Sequence, residues 1–289
     1  MSSLPTFFAI NRTVVLVTGG SSGIELAICK HLTEKGLTVF GTSRSVQNGD
    51  SPHGFPMVRM EITDRDSIKK GVDYVLEKAG TIDVLVNNAG TGMAGAVEDA
   101  TTEEIDHIFR LIVFAALDVS RAVIPTMRKQ NSGKIINISS VGGEFGLPFR
   151  GIYSAAKSAL DRFSETLRME LSPWNIYVST IQPGDIRTNI NNARLTVKKS
   201  HSEDSPYHKV FSKLYRQISE EVATAKDPII VAKIVERIIK SKSPKMRYPA
   251  ASFVQRLSIS LNRILPTEVF QKMLLGRDRK STRLNSSHY

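Results

Sequence analysis

The sequence is poor in cysteine and has no long hydrophobic run. Cys29 is the single cysteine among 289 residues, so no internal disulfide bond can form, which is typical of a protein from a reducing cytoplasm. No window of about eighteen residues is both uncharged and apolar. The opening residues also lack the basic start and apolar core of a secretory signal. We therefore expect a cytoplasmic chain that does not span a membrane.

The histidines show no metal-ligand spacing, and the basic residues are not interleaved with aromatic ones. A zinc site needs closely spaced ligands. A nucleic-acid domain carries its basic residues on a recognisable motif. We therefore predict neither a metal site nor a nucleic-acid partner.

The positive charge is concentrated in the C-terminal third. The net charge is +11, to which residues 1–190 contribute −1, residues 191–276 contribute +9 and residues 277–289 contribute +3. Residues 252–275 have the pattern of two basic amphipathic helices broken at Pro266. Their apolar faces are expected to cover the domain or a second subunit, with peripheral contact to an anionic membrane or an acidic carrier as alternatives. Residues 277–289 lack an apolar period and are predicted to be a disordered tail, a candidate for a segment foreign to the domain.

Strands and helices alternate through most of the chain. A β-branched run over 13–18 precedes a glycine turn and a helical pattern, and an extended run resumes at 38–42. Repetition of this unit predicts an α/β fold with one Rossmann-type doubly wound parallel sheet and helices on both faces. We assign residues 1–276 to this single domain. The polar, weakly patterned residues 189–227 are predicted to form a substrate lid.

The glycine turn, Gly19 to Gly23, can cradle a pyrophosphate with its amides and the following helix N-terminus. Taken alone the signal is weak, because a tight strand-to-helix turn needs glycine for its own geometry. The turn also matches G-x-S-x-G, the nucleophile elbow of hydrolases. We reject that alternative because the match follows the first strand, so no preceding strand loop can supply an oxyanion donor.

Tyr153 and Lys157 lie four residues apart in a run whose apolar residues recur at helical spacing, so both should emerge from one helix face. A phenol ionises near pH ~10 in water, and an ammonium one turn away favours its ionised form. Ser140 ends a buried strand-like run and would bring a hydroxyl to the same edge, where it can hold a substrate oxygen. The alternative is an exposed helix pair and an ordinary turn serine.

The residues after the second strand, Thr42, Ser43 and Arg44, bear on the choice of nicotinamide cofactor. An acidic side chain there binds the ribose hydroxyls of NAD. Arg44 can instead pair with a 2′-phosphate, which no carboxylate there opposes. This favours NADP over NAD, and an exposed loop arginine is the alternative.

Together these motifs resemble the short-chain dehydrogenases/reductases. Thr18–Ile24, Asn87–Gly90, Ser140, Tyr153-x-x-x-Lys157 and Pro183–Thr188 have the order and spacing of that family over roughly residues 12–250. Residues 140–149 look like its steroid- and retinol-dehydrogenase branch. The resemblance implies hydride transfer between a nicotinamide and a carbonyl or alcohol carbon, by a protein that is often a homodimer or homotetramer.

The resemblance also implies roles for individual residues. Tyr153 would exchange the proton, Lys157 would lower the pKa of Tyr153 and bind the nicotinamide ribose, and Ser140 would orient the substrate oxygen. Besides Tyr153, Lys157 and Arg44, the residues expected to contact the cofactor are Gly19, Ser21, Ser22, Gly23, Ile24, Glu61, Ile62, Asn88, Ala89, Gly90, Pro183, Gly184, Ile186 and Thr188. Glu61 stands in place of the usual aspartate beside the adenine.

Two positions depart from the family pattern. Glu25 replaces the third glycine of T-G-x-x-x-G-I-G, which places a carboxylate near the pyrophosphate and is expected to weaken cofactor binding. Ile112 stands where the family has the asparagine of its proton relay, and Ala115 replaces a nearby glycine. An isoleucine side chain cannot make the hydrogen bonds of an asparagine.

We therefore predict an oxidoreductase that transfers hydride between NADP(H) and a lipophilic carbonyl or secondary alcohol. The apolar residues that favour a lipophilic substrate are Phe145, Leu147, Pro148, Phe149 and Ile152. The alternative is a catalytically impaired dinucleotide-binding protein that acts as an interaction module, which Glu25 and Ile112 would explain.

Overall fold

A computed structural model describes residues 13–187, 194–223 and 225–284, apart from the side chains of 218–223 and 276–284. The chain forms two compact units, residues 1–250 and residues 251–289.

The first unit alternates strands and helices as the sequence predicts. Its strands are β1 Val14–Thr18, β2 Thr38–Ser43, β3 Met57–Arg59, β4 Val84–Asn87, β5 Met93–Ala94, β6 Gly133–Ile138, β7 Ile176–Pro183, β8 Leu195–Thr196 and β9 Arg247–Ala250. Its helices are α1 Gly23–Glu34, α2 Arg65–Ala79, α3 Thr102–Phe109, α4 Ala115–Gln130, α5 Gly151–Glu170, α6 His208–Ala223 and α7 Ile229–Lys240. Asp64 is the N-cap of α2, where its carboxylate accepts a hydrogen bond from the amide of Asp66.

Seven strands form one parallel sheet in the order β3-β2-β1-β4-β6-β7-β9. Val15 of β1 pairs with Val39 on one side and with Val84 on the other, so the strand order reverses there and a crevice opens at the C-terminal strand ends. Helices α1 and α7 cover one face of the sheet, and α2 and α4 cover the other. Because both faces are covered, β1 is buried along its whole length. The predicted doubly wound Rossmann-type fold is confirmed.

The described part of the predicted lid, from Arg194 onward, contains short regular elements. Strand β8 pairs in parallel with β5 through Met93 and Leu195, a 3₁₀ turn follows at Lys198–His201, and α6 comes next. Two-residue strands leave no periodic signal, so the sequence analysis missed β5 and β8.

The apolar residues of 103–128 recur at the spacing of one continuous helix, but the helix is interrupted in the structure. A π-helical turn, Arg110–Phe114, lies between α3 and α4. A π-helical turn contains one more residue than an α-helical turn. This changes the spacing of the apolar residues too little to be recognised in a sequence, which is why the interruption was not predicted. Such turns occur often at functional sites, and Ile112 is buried within this one.

The second unit consists of α8 Phe253–Ile264 and α9 Thr267–Leu284. The helices are separated at Pro266, as predicted, and Ser252 and Gln255 form a capping box at the start of α8. Helical backbone continues to Leu284, into the segment predicted to be disordered, because arginine and lysine favour helix without an apolar period. Residues 285–289 lie outside the described residues. In the described chain, every helix is too short or too polar to cross a bilayer.

Candidate active site

The predicted motifs meet at the C-terminal edge of the sheet. Thr18 ends β1 and Asn87 ends β4, its neighbour in the sheet. The Thr18 hydroxyl accepts hydrogen bonds from the amides of Asn88 (3.0 Å) and Ala89 (3.1 Å). Two motifs about seventy residues apart in the chain are thereby joined at the switch point of the sheet, where open α/β folds bind their ligands.

The glycine turn leaves room for a phosphate group outside α1. Gly19 has φ of 79°, a left-handed conformation that favours glycine, and its amide donates to the Thr42 hydroxyl (3.0 Å). A Cβ at Gly20 would lie 3.0 Å from the Cα of Gly41, so a side chain there would collide with β2. The exposed Ser21 and Ser22 and the half-buried Gly23 and Ile24 complete the turn. These residues fit a nucleotide pyrophosphate.

Glu25 reaches back across this turn. Its Oε2 accepts a hydrogen bond from the side-chain amide nitrogen Nδ2 of Asn88 (2.7 Å), and its Oε1 accepts one from the Ser22 hydroxyl (3.4 Å). Burial raises the pKa of Glu25 to about 7, although hydrogen bonds from its own backbone amide, Ser22 and Asn88 oppose the shift. The carboxyl group is therefore about half ionised at neutral pH, beside the proposed phosphate cradle.

Tyr153, Lys157 and Ser140 converge on one crevice. The Lys157 Nζ lies 5.8 Å from the centre of the Tyr153 ring. Burial raises the pKa of Tyr153, whereas the nearby Ser140 side chain and the charges of Arg150 and Arg194 act to lower it. A phenol, an amine and a hydroxyl are thus brought together in one crevice.

Lys157 is held against the end of β6. Its Nζ donates to the carbonyl oxygen of Ile138 at 2.7 Å, and its side chain is buried. Burial lowers the pKa of Lys157 to about 8, and the nearby charge of Asp161 opposes this shift. The lysine therefore titrates close to physiological pH.

Arg44 lies beyond the end of β2, where a 2′-phosphate would lie, but a carboxylate is close to it. The Glu61 Oε2 is 3.8 Å from an Arg44 guanidinium nitrogen, which corrects the expectation that Arg44 is unopposed. The Arg44 side chain is 80% exposed, so this pair is weak and an incoming phosphate can displace it. The Glu61 Oε1 is already bound by the amide and hydroxyl of Thr63.

The other predicted cofactor residues lie along the same edge. Ile62, Ala89, Ile112 and Lys157 border one narrow cavity. Ile112 also lies close to Gly90, because a Cβ at Gly90 would lie 3.7 Å from the Ile112 side chain. The apolar isoleucine thus stands at the position where the resemblance places the asparagine of the proton relay. The cavity therefore lacks the asparagine that the family pattern calls for.

The residues at the end of β7 and after it lie near the C-terminal edge of the sheet. Pro183 ends β7 and Gly184 donates its amide hydrogen to the Ala250 carbonyl at 3.2 Å. Ile186 is buried. The predicted cofactor residue Thr188 lies outside the described residues.

Sequence reasoning missed a buried polar network behind Lys157. An Asp161 oxygen accepts a hydrogen bond from the Gln182 amide (3.2 Å), which also donates to Glu144 (2.6 Å). The Arg247 guanidinium lies 3.6 Å from the same Glu144 oxygen. The other Asp161 oxygen is buried without a hydrogen-bond partner. The sequence feature that could have indicated this network is the spacing of Asp161, which lies four residues after Lys157 and hence on the same helix face.

Replacing Asp161 by asparagine is expected to move the pH dependence of turnover. The carboxylate favours the charged form of Lys157, so its loss lowers the pKa of Lys157 further. The basic limb of the kcat profile should move to lower pH. At pH 8, turnover should fall by about fivefold, the change expected for a pKa lower by about one unit.

The measurement is kcat between pH 6 and pH 10, with Asp73→Asn on the exposed face of α2 as the control. A general loss of activity without movement of the profile would assign Asp161 a purely structural role.

The chain is similar to known proteins in sequence and in structure. The sequence pattern described as short chain dehydrogenase matches residues 13–198. The 3-ketodihydrosphingosine reductase of Bacteroides thetaiotaomicron is 34% identical over 261 residues, which cover 90% of this chain and 96% of that protein. Dehydrogenase/reductase SDR family member 7B of Xenopus tropicalis is 28% identical, covering 96% of this chain and 89% of that protein.

Among solved structures, a short-chain dehydrogenase from Streptomyces avermitilis aligns with a TM-score of 0.77 at 28% identity, covering 97% of this chain and all of the other. The chain belongs to the short-chain dehydrogenase/reductase family and includes the features that resemble its steroid- and retinol-dehydrogenase branch. It is therefore an oxidoreductase of a family that uses NAD(P).

Proposed function

We propose that the protein transfers hydride between NADP(H) and a lipophilic carbonyl or secondary alcohol, with Tyr153 as the general acid/base. The observation that supports this proposal is the convergence of Tyr153, Ser140 and Lys157 beside the glycine turn. The experiment is oxidation of NADPH and of NADH in the presence of a panel of aliphatic and cyclic ketones. Absence of turnover with every carbonyl, by protein that binds the cofactor, would reject the enzymatic proposal.

The chain's own residues account for the proton half of this reaction. NADPH, when bound, supplies the hydride. The Ser140 hydroxyl holds the substrate oxygen, and the Tyr153 phenol donates its proton to that oxygen in the direction of reduction. The Lys157 ammonium stabilises the phenolate that remains. Because Lys157 is buried, this electrostatic stabilisation is screened less than it would be in water.

The NADP preference rests on Arg44. Replacing Arg44 by alanine should raise the KM for NADPH by about tenfold, because a charge-assisted hydrogen bond to the 2′-phosphate is lost at an exposed position. The KM for NADH should stay within a factor of about two. Arg162→Ala, which removes an exposed arginine from α5, is the control. Equal changes for both cofactors would contradict the assignment of Arg44 to the 2′-phosphate.

The alternative, a catalytically impaired interaction module, is not favoured by the comparisons with oxidoreductases. It rests on Glu25 and Ile112 alone. Glu25 affects the cost of binding a phosphate, and Ile112 removes a relay group, but neither displaces Tyr153, Ser140 or Lys157 from the crevice.

We further propose that the protein self-associates or contacts a membrane through exposed apolar residues. Phe163 and Met169 on α5 are 45% and 68% exposed, and a second copy would bury them. Phe253 and Ile264 on the basic helix α8 are 72% and 78% exposed, which suits an anionic lipid surface. Light scattering and flotation with anionic liposomes would decide between these partners.

A further inference from the structure

Two arginines lie near Tyr153 without a role in the proposed chemistry. Arg150 is the N-cap residue of α5, three residues before Tyr153 and hence on the same side of the helix. Arg194 precedes β8, and its Nε would lie 3.5 Å from a Cβ on Gly92. Gly92 follows the loop after β4. Both guanidinium groups are therefore close enough to Tyr153 for their charges to act on it.

The two guanidinium groups repel each other, and neither forms an ion pair with a described carboxylate, although the more distant charge of Asp185 acts on Arg194. Arg150 and Arg194 are both half-buried, and neither lies within 4.0 Å of an acidic oxygen among the described side chains. The Arg194 Nη1 is buried and has no hydrogen-bond partner. Buried cations without partners are costly, and a bound anion would relieve both the repulsion and the missing hydrogen bond.

An aromatic wall lies beside this cationic pair. Phe149, which adopts a left-handed conformation with φ of 57°, contacts the rings of Tyr207 and Phe211 at 6.0 and 5.7 Å between centroids. Phe211 contacts Tyr215 at 5.7 Å, and the Arg194 guanidinium lies 6.0 Å from the Tyr215 ring centre. Phe211 is fully buried, whereas Phe149, Tyr207 and Tyr215 are half-buried, so partly exposed aromatic surface lies beside Arg194.

We propose that Arg150 and Arg194 bind an anionic group of the substrate, a carboxylate or a phosphate, so that the enzyme acts on an amphiphilic anion whose reacting carbon lies next to Tyr153. This inference rests on the proposed function and narrows its substrate class. An ammonium group at the same place would be repelled by both arginines. The arrangement therefore disfavours a cationic amino ketone.

The phosphates of the cofactor are a second source of negative charge. The pyrophosphate cradle lies at the start of α1 and the 2′-phosphate position lies at Arg44, whereas Arg194 contacts Gly92 and Tyr215. The position of Arg194 favours the substrate. Cofactor affinity in arginine variants distinguishes the two sources.

The experiment compares medium-chain ketones that carry a carboxylate, a phosphate, a methyl ester or an ammonium group, with the carbonyl at successive carbons. Each is assayed with NADPH and the wild type, Arg194→Gln, Arg194→Lys, Arg150→Gln and Tyr153→Phe. Arg121→Gln, an exposed arginine on α4, is the control. Calorimetry measures the affinity of each variant for NADPH and for a medium-chain carboxylate added without cofactor.

We expect kcat/KM for the anionic ketones to exceed that for the ester by at least about tenfold and to fall by about 10- to 100-fold in Arg194→Gln, with partial rescue in Arg194→Lys. NADPH affinity should change by less than about threefold. Turnover of the ester should fall less than turnover of the anionic ketones, because loss of the Arg194 charge acts on Tyr153 for every substrate. Carboxylate affinity without cofactor should fall in parallel with kcat/KM.

Three outcomes would overturn the inference: equal turnover of ester and anion, equal losses for both in Arg194→Gln, or a matching loss of NADPH affinity. Tyr153-dependent turnover of the ester in those cases would leave the proposed function standing. Absence of Tyr153-dependent turnover across the whole panel would instead reject the proposed function.

Discussion

Tyr153→Phe is expected to lower kcat for carbonyl reduction by about 10²- to 10⁴-fold, the range over which a positioned general acid contributes. The phenylalanine ring keeps the packing of α5 but has no proton to donate to the substrate oxygen. The NADPH dissociation constant should change by less than about threefold, because the glycine turn and Arg44 are untouched. The measurements are steady-state turnover and fluorescence titration with NADPH.

The matched control is Tyr177→Phe, which removes a half-buried phenol from the otherwise buried strand β7. Its turnover should equal that of the wild type. If Tyr153→Phe retained wild-type turnover, another group would have to supply the proton and the assignment of Tyr153 would be wrong.

Glu25→Gln is expected to tighten NADPH binding by up to about tenfold at pH 8, the cost of protonating the wild-type carboxylate there, and to have little effect at pH 6. The pKa of Glu25 is about 7, so the wild-type side chain is mostly neutral at pH 6 and mostly charged at pH 8. A carboxylate beside the phosphates costs binding energy of a few kcal/mol at protein-like screening. Titrations with NADPH from pH 6 to pH 8.5 should show a slope in the wild type that the glutamine variant lacks.

The same substitution should change stability with pH. The pKa of Glu25 is raised from 4.5 to about 7 on folding, so the unfolded chain loses this proton first and wild-type stability falls as pH rises from 4.5 to 7. The loss is at most about 3 kcal/mol. Denaturation at pH 5 and pH 8 should show Glu25→Gln to be stabilised only at the higher pH. Glu34→Gln, exposed at the end of α1, should be neutral, and a pH-independent effect of Glu25→Gln would contradict its assigned ionisation.

The order of the main elements was readable from sequence because each had its own physical signal. The glycines at 19–23 mark the first turn, and Asp64 marks the start of α2 by capping its free amides. The π-helical turn at Arg110–Phe114 escaped because it adds one residue to a pattern that tolerates such a shift. Strands β5 and β8 escaped because their pairing depends on the tertiary position of the lid.

The candidate site likewise combines features that the local sequence encodes with features that depend on the tertiary fold. Tyr153 and Lys157 share a helix turn, so their proximity follows from local geometry. The contacts of Arg194 with Gly92 and Tyr215 depend on how β8 is placed, about a hundred residues from β5 in the chain, and no local pattern encodes them. The burial that raises the pKa of Glu25 likewise depends on the approach of Asn88 from a distant strand.

The all-parallel pairing of the seven-stranded sheet also has a kinetic consequence. Even neighbouring strands are joined by crossovers, with Val14 opposite Thr38 and Thr180 opposite Arg247. The chain therefore has to close large loops before strand pairing stabilises it, and topologies of this kind fold slowly. During synthesis, β1 leaves the ribosome with both of its apolar faces uncovered well before β4 is made. Slow expression at low temperature, or a surplus of chaperones, should raise the yield of soluble protein by limiting association of that exposed strand.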